Sequence, residues 1–157
     1  MFQGQLLAIC VAPRMGEALQ VVPAVEAVAG RGLAGDRYFT AEGTFSKKAG
    51  PDREVTLIES EALAGLAQEY EIVIEPSQAR RNLVTQGVPL NHLVGREFTV
   101  GGVALRGIRL CEPCGHLEKL TQQGVQKGLS HRGGLRAQIV RGGVLRAGDA
   151  IRAGGGD

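Results

Sequence analysis

The chain has 157 residues, of which 43% are hydrophobic and 22% charged, and this globular composition excludes disorder as its main state. Its net charge of +2 is too weak to favour nucleic acid or an anionic membrane as a partner. The first ten residues lack a basic segment and a long apolar run, so we predict no signal peptide, no spanning helix and a cytoplasmic location.

The first third of the chain alternates short apolar runs with turns. We predict a strand over residues 5–11 and a second apolar strand over 21–29 that Pro23 interrupts. Residues 30–39 follow as a glycine-rich loop, and the polar stretch from there to Arg53 predicts a mobile surface loop.

The middle of the chain predicts one amphipathic helix between strands. Residues 54–58 and 81–85 have strand-like patterns, and an extended segment that ends at Pro76 lies between them. Ser60 stands where a helix cap would be expected. The helical spacing i, i+3, i+4, i+7 is occupied by Leu63, Leu66, Ala67 and Tyr70.

The last third is dominated by strands, and two Gly-Gly pairs predict hairpin turns. The chain holds 24 glycines, roughly twice the average share, which favours many short strands joined by turns. These features predict a single mainly β, barrel-like domain over residues 1–152 and a flexible tail over 153–157. The predicted elements are a hairpin of 97–100 with 103–106, a short helix over 120–129, and a hairpin of 138–141 with 144–146.

The strongest chemical signal is the Cys-x-x-Cys pair formed by Cys111 and Cys114, which follows a strand that Pro113 ends. Three cysteines provide no framework of disulfides, so the thiols are expected to be free. The pair fits a zinc site completed by His116 or His131, a dithiol redox pair, or one thiolate on a soft metal centre carried by a cofactor. The structural alternative is two buried, inert cysteines.

Polar side chains stand beside three other strand-like segments. Guanidinium forks, an amide and nearby backbone amides suit an oxyanion or the edge of a heterocycle, although each group taken alone also fits a solvated surface. We take them as candidates for binding a cofactor. The groups are Asp36-Arg37, Arg80-Arg81-Asn82 and His131-Arg132.

In their order along the chain, these segments resemble the MOSC family, named for the C-terminal domain of molybdenum cofactor sulfurase. The resemblance extends from about Gly4 to Arg152 and implies a strand-rich, barrel-like fold and a small stand-alone member of bacterial type. The segments that carry it are Gly30-x-Gly32-Leu33-x-Gly35-Asp36-Arg37, Glu54-Val55-Thr56-Leu57-Ile58, Arg80-Arg81-Asn82, Leu93-x-Gly95-x-x-Phe98-x-Val100-Gly101, Cys111-x-Pro113-Cys114 and Gly133-Gly134-Leu135-Arg136-Ala137.

The resemblance implies that the chain binds molybdenum cofactor, in which the dithiolene of a phosphorylated pterin (molybdopterin) holds the metal and one protein cysteine completes its coordination. Cys114 matches the family's metal-binding cysteine, and Cys111 is the alternative or a partner thiol. Arg80 and Asn82 match a motif that implies contacts to the pterin and its phosphate.

The Asp-Arg-aromatic segment of the family matches Asp36 and Arg37, with Arg37 as the phosphate ligand. Two functions follow from the resemblance. The first is an oxidoreductase that reduces small N-oxygenated (N-hydroxylated) compounds with electrons from a separate protein, since the chain has no cysteine set for an iron–sulfur cluster. The second is a sulfur carrier in metal–sulfur cofactor assembly that takes sulfane sulfur from a donor protein as a cysteine persulfide.

Overall fold

The computed structural model describes residues 2–14, 16–39 and 50–154. The described residues form eleven strands and three α-helices, with short 3-10 turns at Pro76–Ala79 and Leu90–Leu93. In chain order the elements are β1 (Gln3–Val11), β2 (Gln20–Val22), β3 (Ala24–Val28), β4 (Gly32–Leu33), β5 (Val55–Glu59), α1 (Ser60–Tyr70), β6 (Leu83–Gln86), β7 (Glu97–Val100), β8 (Val103–Leu110), α2 (Gly115–Leu120), α3 (Val125–Gly128), β9 (Leu135–Arg141), β10 (Gly143–Arg146) and β11 (Ala150–Ala153).

Seven strands close into a mixed β-barrel. They follow one another in the order β11-β7-β8-β9-β5-β6-β1, and β1 pairs with β11 to close the ring. The β5–β6 pair is parallel, and the other neighbours in the ring are antiparallel. The short strand β2 extends the sheet beyond β1, and β10, β3 and β4 form a separate small sheet. The predicted mainly β, barrel-like fold is therefore confirmed.

The barrel interior holds the main hydrophobic core, because inward-facing side chains alternate along each strand. Phe98 is its largest fully buried side chain, and Leu33 and Leu145 of the small sheet belong to the same cluster. A second core lies between β5, β6 and the helices, where Leu66 of α1 packs with Val125 of α3. The half-buried side chain of Cys114 packs against this second core, which anchors the segment before α2.

One predicted hairpin is confirmed and the other is wrong. Gly101-Gly102 joins β7 to β8, and Gly101 has the positive φ of 57° that such a turn requires. Gly142-Gly143, in contrast, separates strands of different sheets, because β9 pairs with β8 and β5 whereas β10 pairs with β3. At Gly142 a Cβ atom would overlap the carbonyl oxygen of Ala27, so glycine permits the close crossing from barrel to small sheet.

The predicted amphipathic helix is confirmed as α1, although its start differs from the prediction. The N-cap is Glu59 and Ser60 is the first helical residue, so Ser60 does not cap the helix. Leu66 is fully buried, whereas Tyr70 at the last position is 39% exposed. None of the helices in the described parts of the chain is long and apolar enough to cross a membrane.

Two other predicted segments differ in detail. The helix predicted over 120–129 is shorter in the structure: only α3 lies within this range, Leu120 is the last residue of α2, and Gly124 precedes α3 with a φ of 101°. Ala153, at the start of the predicted tail, is the last residue of β11, and the Gly154 amide donates to the Glu97 carbonyl at 3.0 Å. Residues 155–157 of the tail and 40–49 of the predicted loop lie outside the described residues.

Candidate functional site

A cleft at one end of the barrel collects most of the predicted functional side chains; we call it the cysteine–arginine cleft. It encloses about 480 Å³ of empty space, part of it open to solvent. Its lining residues come from three loops, from the first turn of α2 and from the start of β9. They are Arg37, Tyr38, Arg80, Arg81, Cys111, Glu112, Cys114, His116 and Arg136.

Strand pairing explains why these distant segments meet. Leu57 of β5 pairs with both Leu83, the first residue of β6, and Leu135, the first residue of β9. Leu135 also pairs with Leu110, the last residue of β8. The arginines before β6, the cysteines after β8 and Arg136 of β9 therefore converge on the same end of the barrel.

The backbone around Cys111 is held from two sides. Its amide donates to the Gly134 carbonyl at 2.8 Å, and its carbonyl accepts from Arg81 NH2 at 3.1 Å. Gly133 packs against the same carbonyl, which a Cβ atom at that position would meet at 2.5 Å. Cys111 is only 3% exposed and Cys114 is half-buried, and both thiols are free. The two thiols are thus presented to the cleft by a firmly positioned loop.

Arg81 is used to build the cleft. Its Nε donates to the Gly133 carbonyl at 2.8 Å and its NH1 to the Ala79 carbonyl at 3.5 Å, in addition to the bond from NH2 to Cys111. All three nitrogens of the guanidinium are therefore engaged by backbone carbonyls. Arg81 fixes the cysteine loop to the start of β6, and little of its hydrogen-bonding capacity is left for a ligand.

The structure does not bring Asn82 to the cleft surface, although the resemblance implied a pterin contact. Asn82 is fully buried, and its Oδ1 accepts from the Thr56 amide at 3.0 Å and from Thr56 Oγ1 at 3.2 Å. Its Nδ2 donates to the Cys10 carbonyl at 3.1 Å. The side chain joins β1, β5 and β6 inside the barrel wall.

Asp36 has a similar internal role, and Arg37 faces the cleft. Asp36 is fully buried, and its Oδ1 accepts from the Ala12 amide at 3.0 Å and from Arg37 NH1 at 3.1 Å. Its Oδ2 accepts from the Tyr38 amide at 3.4 Å. This carboxylate fixes the turn after β4, and Arg37 NH2 then donates to the Arg80 carbonyl at 3.2 Å.

Arg80 and Arg37 form a pair of neighbouring cations in the cleft lining. Arg80 adopts a left-handed backbone conformation (φ 57°), and its NH1 donates to the Glu17 carbonyl at 2.8 Å. Burial and then the positive charge of Arg37 lower the pKa of Arg80, although a guanidinium stays protonated at any physiological pH. Because an anion bound between the two guanidiniums would relieve their repulsion, this pair suits a phosphate.

The structure places two further residues in the cleft lining that sequence reasoning did not assign to cofactor binding, Arg136 and His116. Arg136 NH1 donates to Tyr38 OH at 3.4 Å and to the Asp52 carbonyl at 3.2 Å. Arg136 Nε and His116 Nε2 are buried and have no hydrogen-bond partner among the described residues. In the sequence analysis, Arg136 appeared only as part of the Gly133–Ala137 segment of the family resemblance, and His116 only as a candidate zinc ligand.

His131 and Arg132 do not line the cleft. The His131 side chain is 87% exposed, and its amide donates to Glu112 Oε1 at 2.8 Å while its Nδ1 lies 3.0 Å from Glu112 Oε2. Arg132 is turned toward α1, where NH1 and NH2 donate to the carboxylate of Glu69 at 3.3 and 3.1 Å. His131 therefore reaches the cleft only through its contact with Glu112 at the rim.

The donor set of the cleft fits a phosphorylated cofactor with a soft metal better than it fits a bare metal ion. Within the described part of the chain, four arginines line it against a single carboxylate, that of Glu112, and two free thiols supply soft ligands. The two unpartnered buried nitrogens add hydrogen-bonding capacity that the protein itself leaves unused. No group of three or more His, Cys, Asp and Glu side chains within residues 2–14, 16–39 and 50–154 is placed to hold a metal ion.

Comparison with known proteins identifies the family. A family model described as "MOSC domain" matches residues 45–152, which is 108 of 157 residues, and the Asp36-Arg37 segment lies before this range. No curated protein sequence matches the chain.

Solved structures of low sequence identity share the fold. The YuaD protein from Bacillus subtilis is 17% identical, with a TM-score of 0.80 over 96% of this chain and 97% of that chain. YiiM from Geobacillus stearothermophilus is 14% identical, with a TM-score of 0.74 over 96% of this chain and 75% of that chain. YiiM from Escherichia coli is 18% identical, with a TM-score of 0.67 over 98% and 70%.

Proposed function

The chain belongs to the MOSC domain family, a family associated with molybdenum cofactor binding, and on that premise we propose that it binds molybdenum cofactor in the cysteine–arginine cleft. The observation that carries the proposal is the convergence of two free thiols with the neighbouring guanidiniums of Arg37 and Arg80 at one end of the barrel. A soft metal favours thiolate ligands, and a pterin phosphate favours charge-assisted hydrogen bonds from guanidinium groups.

The roles of the cleft residues follow from their surroundings. Cys114 is the proposed metal ligand, because it is the more accessible of the two thiols, and Cys111 is the alternative ligand or a partner thiol. Arg37 and Arg80 bind the phosphate, since their guanidiniums are close enough for the charge of Arg37 to lower the pKa of Arg80 after burial does so. The bound cofactor supplies two-electron redox chemistry at its metal.

We propose that the reaction is the reduction of a small N-oxygenated compound. In this reduction an N–OH group takes up two electrons and two protons, the N–O bond breaks, and the products are the N–H compound and water. The electrons come from a separate electron-donor protein. The protein positions the cofactor and the substrate in the cleft.

Metal and pterin analysis of purified protein tests the proposal. We expect about one molybdenum per chain after expression in a host that makes the cofactor, and less than about a tenth of that content in the Cys111→Ala/Cys114→Ala double variant. Cys10→Ala is the matched control, because Cys10 is fully buried outside the cleft and burial raises the pKa of its thiol to about 11. Equal molybdenum in wild type and double variant would contradict the proposal.

A sulfur carrier is the second candidate function, and the presence of two thiols in one cleft favours it. The Cys114 thiolate would attack a donor persulfide, forming a new S–S bond as the donor thiolate leaves. Attack by Cys111 on the resulting persulfide would then form a Cys111–Cys114 disulfide and release hydrosulfide, and a thiol reductant would restore both thiols.

Mass spectrometry separates this candidate from the first. After incubation with a cysteine desulfurase and cysteine, a sulfur carrier is expected to gain about 32 Da on Cys114 or Cys111, the mass of one sulfur atom, or to carry the Cys111–Cys114 disulfide that forms when the persulfide is resolved. The Cys10→Ala variant should gain the same mass, and the double variant should not. Unmodified wild-type protein under these conditions rules the sulfur-carrier function out.

A further inference from the structure

Arg136 uses only part of its hydrogen-bonding capacity. The residue is 9% exposed, and within the described part of the chain only its NH1 donates, to Tyr38 OH and to the Asp52 carbonyl. Its Nε is buried without a partner. The Nε–NH2 edge of a guanidinium is a fork of parallel donors that matches the two oxygens of a carboxylate or similar oxyanion.

The other deeply buried arginines of the cleft differ from Arg136 in this respect. Arg37 forms an ion pair with Asp36 at 3.1 Å, and all three nitrogens of Arg81 donate to backbone carbonyls. Burying a cation is costly unless an anion or a full set of acceptors compensates it. Among the described residues, Arg136 has neither a hydrogen-bonded carboxylate nor acceptors for all its nitrogens. Asp52 and Glu112 are the acidic residues to consider as its partners.

Those neighbouring carboxylates are engaged elsewhere. The Asp52 carboxylate accepts from Arg109 Nε at 3.0 Å and offers Arg136 only its backbone carbonyl. The Glu112 carboxylate is held by the amide and ring of His131 at the rim. Among the described residues, therefore, no carboxylate forms a hydrogen bond with the buried Arg136 guanidinium. Burial lowers the pKa of Arg136, and the nearby Cys111, Tyr38 and Asp52 side chains raise it, so the guanidinium stays charged.

A second unpartnered group lies in the same cleft. His116 lines the cleft, and its Nε2 is buried without a hydrogen-bond partner among the described residues. A neutral imidazole that carries its proton on Nε2 is a hydrogen-bond donor. Two buried nitrogens without hydrogen-bond partners in one cleft are typical of a place that a polar ligand completes, and the Nε2–H tautomer of His116 is the one that an oxyanion would favour.

We propose that Arg136 and His116 form a subsite for a small oxyanion carried by the substrate, such as a carboxylate, beside the cysteine thiols. This inference rests on the proposed function, since it assigns the Arg37–Arg80 side of the cleft to the cofactor phosphate and the Arg136 side to the substrate. The preferred substrates are therefore small and anionic. Arg136 forms the charge-assisted bonds to the oxyanion, and the Tyr38 hydroxyl holds its guanidinium in place.

Anion binding to cofactor-free protein tests the subsite without any turnover. We expect sulfate, titrated by calorimetry into protein from a host that lacks the cofactor, to bind wild type at least about tenfold more tightly than the Arg136→Met variant. Arg136→Lys should recover part of the affinity, because the charge returns without the planar fork. Arg141→Met is the matched control, since Arg141 is exposed at the far end of the same strand. This variant should bind sulfate as tightly as wild type does.

Metal analysis of variants distinguishes the two oxyanions that Arg136 could bind, that of the substrate and the phosphate of the cofactor. Arg136→Met purified from a cofactor-producing host should keep the wild-type molybdenum content, whereas Arg80→Gln should lose it. Loss of molybdenum in Arg136→Met would assign the residue to the cofactor phosphate and overturn the subsite. Equal sulfate affinity in wild type and Arg136→Met would overturn the subsite as well. The proposed function would still be tested separately, by the molybdenum content of the wild-type protein.

Discussion

Replacement of Asn82 with alanine is expected to lower the free energy of unfolding by about 3 kcal/mol, a large share of a typical domain's stability. The change removes the acceptor of the Thr56 amide and hydroxyl and the donor to the Cys10 carbonyl, all of them buried. Each group left unsatisfied in the interior costs its full desolvation penalty. Urea unfolding followed by circular dichroism measures the loss.

Asn91→Ala is the control for this prediction. Asn91 is exposed and donates one side-chain hydrogen bond to the His131 carbonyl at 2.7 Å, so its loss is expected to cost less than about 1 kcal/mol. An Asn82→Ala variant that is as stable as wild type but lacks molybdenum would contradict the structural role. That outcome would restore the pterin contact that the family resemblance implies for Asn82.

Replacement of Gly134 with alanine is expected to destabilise the protein by more than about 4 kcal/mol, enough to prevent most of the chain from folding. Gly134 has a φ of 120°, and an added Cβ would overlap the backbone carbonyl oxygen of Leu57. Its own carbonyl accepts from the Cys111 amide, so any displacement also releases the cysteine loop. The yield of soluble protein and the thermal unfolding midpoint measure the effect.

Gly35→Ala separates the effect of steric overlap from that of backbone conformation. Gly35 also has a positive φ, 85°, but an added Cβ there would meet nothing within 4 Å. The expected cost is about 1 kcal/mol, which reflects the left-handed conformation alone. If Gly134→Ala unfolds at the same temperature as Gly35→Ala, the close packing of Gly134 against β5 is not important for stability.

The strands could be predicted from the sequence wherever the pattern is local. The β7–β8 hairpin was predicted correctly, because its two strands are consecutive and its turn needs a residue that tolerates positive φ. The same reasoning failed at Gly142-Gly143, where the partner of β10 is β3, more than a hundred residues earlier in the chain. A Gly-Gly pair marks either a turn or a close crossing of backbones, and only the distant partner distinguishes the two.

The candidate site was predicted in part for a similar reason. Cys111, Cys114, Arg37 and Arg80 were predicted from their residue types beside strand ends, and all four line the cleft. Neither Arg136 nor the fully buried Asp36 is distinguished by residue type alone. Whether a polar side chain satisfies the protein or is left for a ligand depends on acceptors that lie far away in the sequence.

The sequence by itself determined that this is a mainly β chain of the MOSC family with a Cys-x-x-Cys segment, because strand patterning, turn glycines and motifs are properties of neighbouring residues. Only the tertiary structure decided which polar side chains form hydrogen bonds within the barrel wall and which face the cleft. Barrel closure pairs Leu57 with the starts of both β6 and β9, so Asn82 is enclosed while Arg136 is left with unused donors beside Cys111. That division depends on long-range contacts, which no local pattern contains.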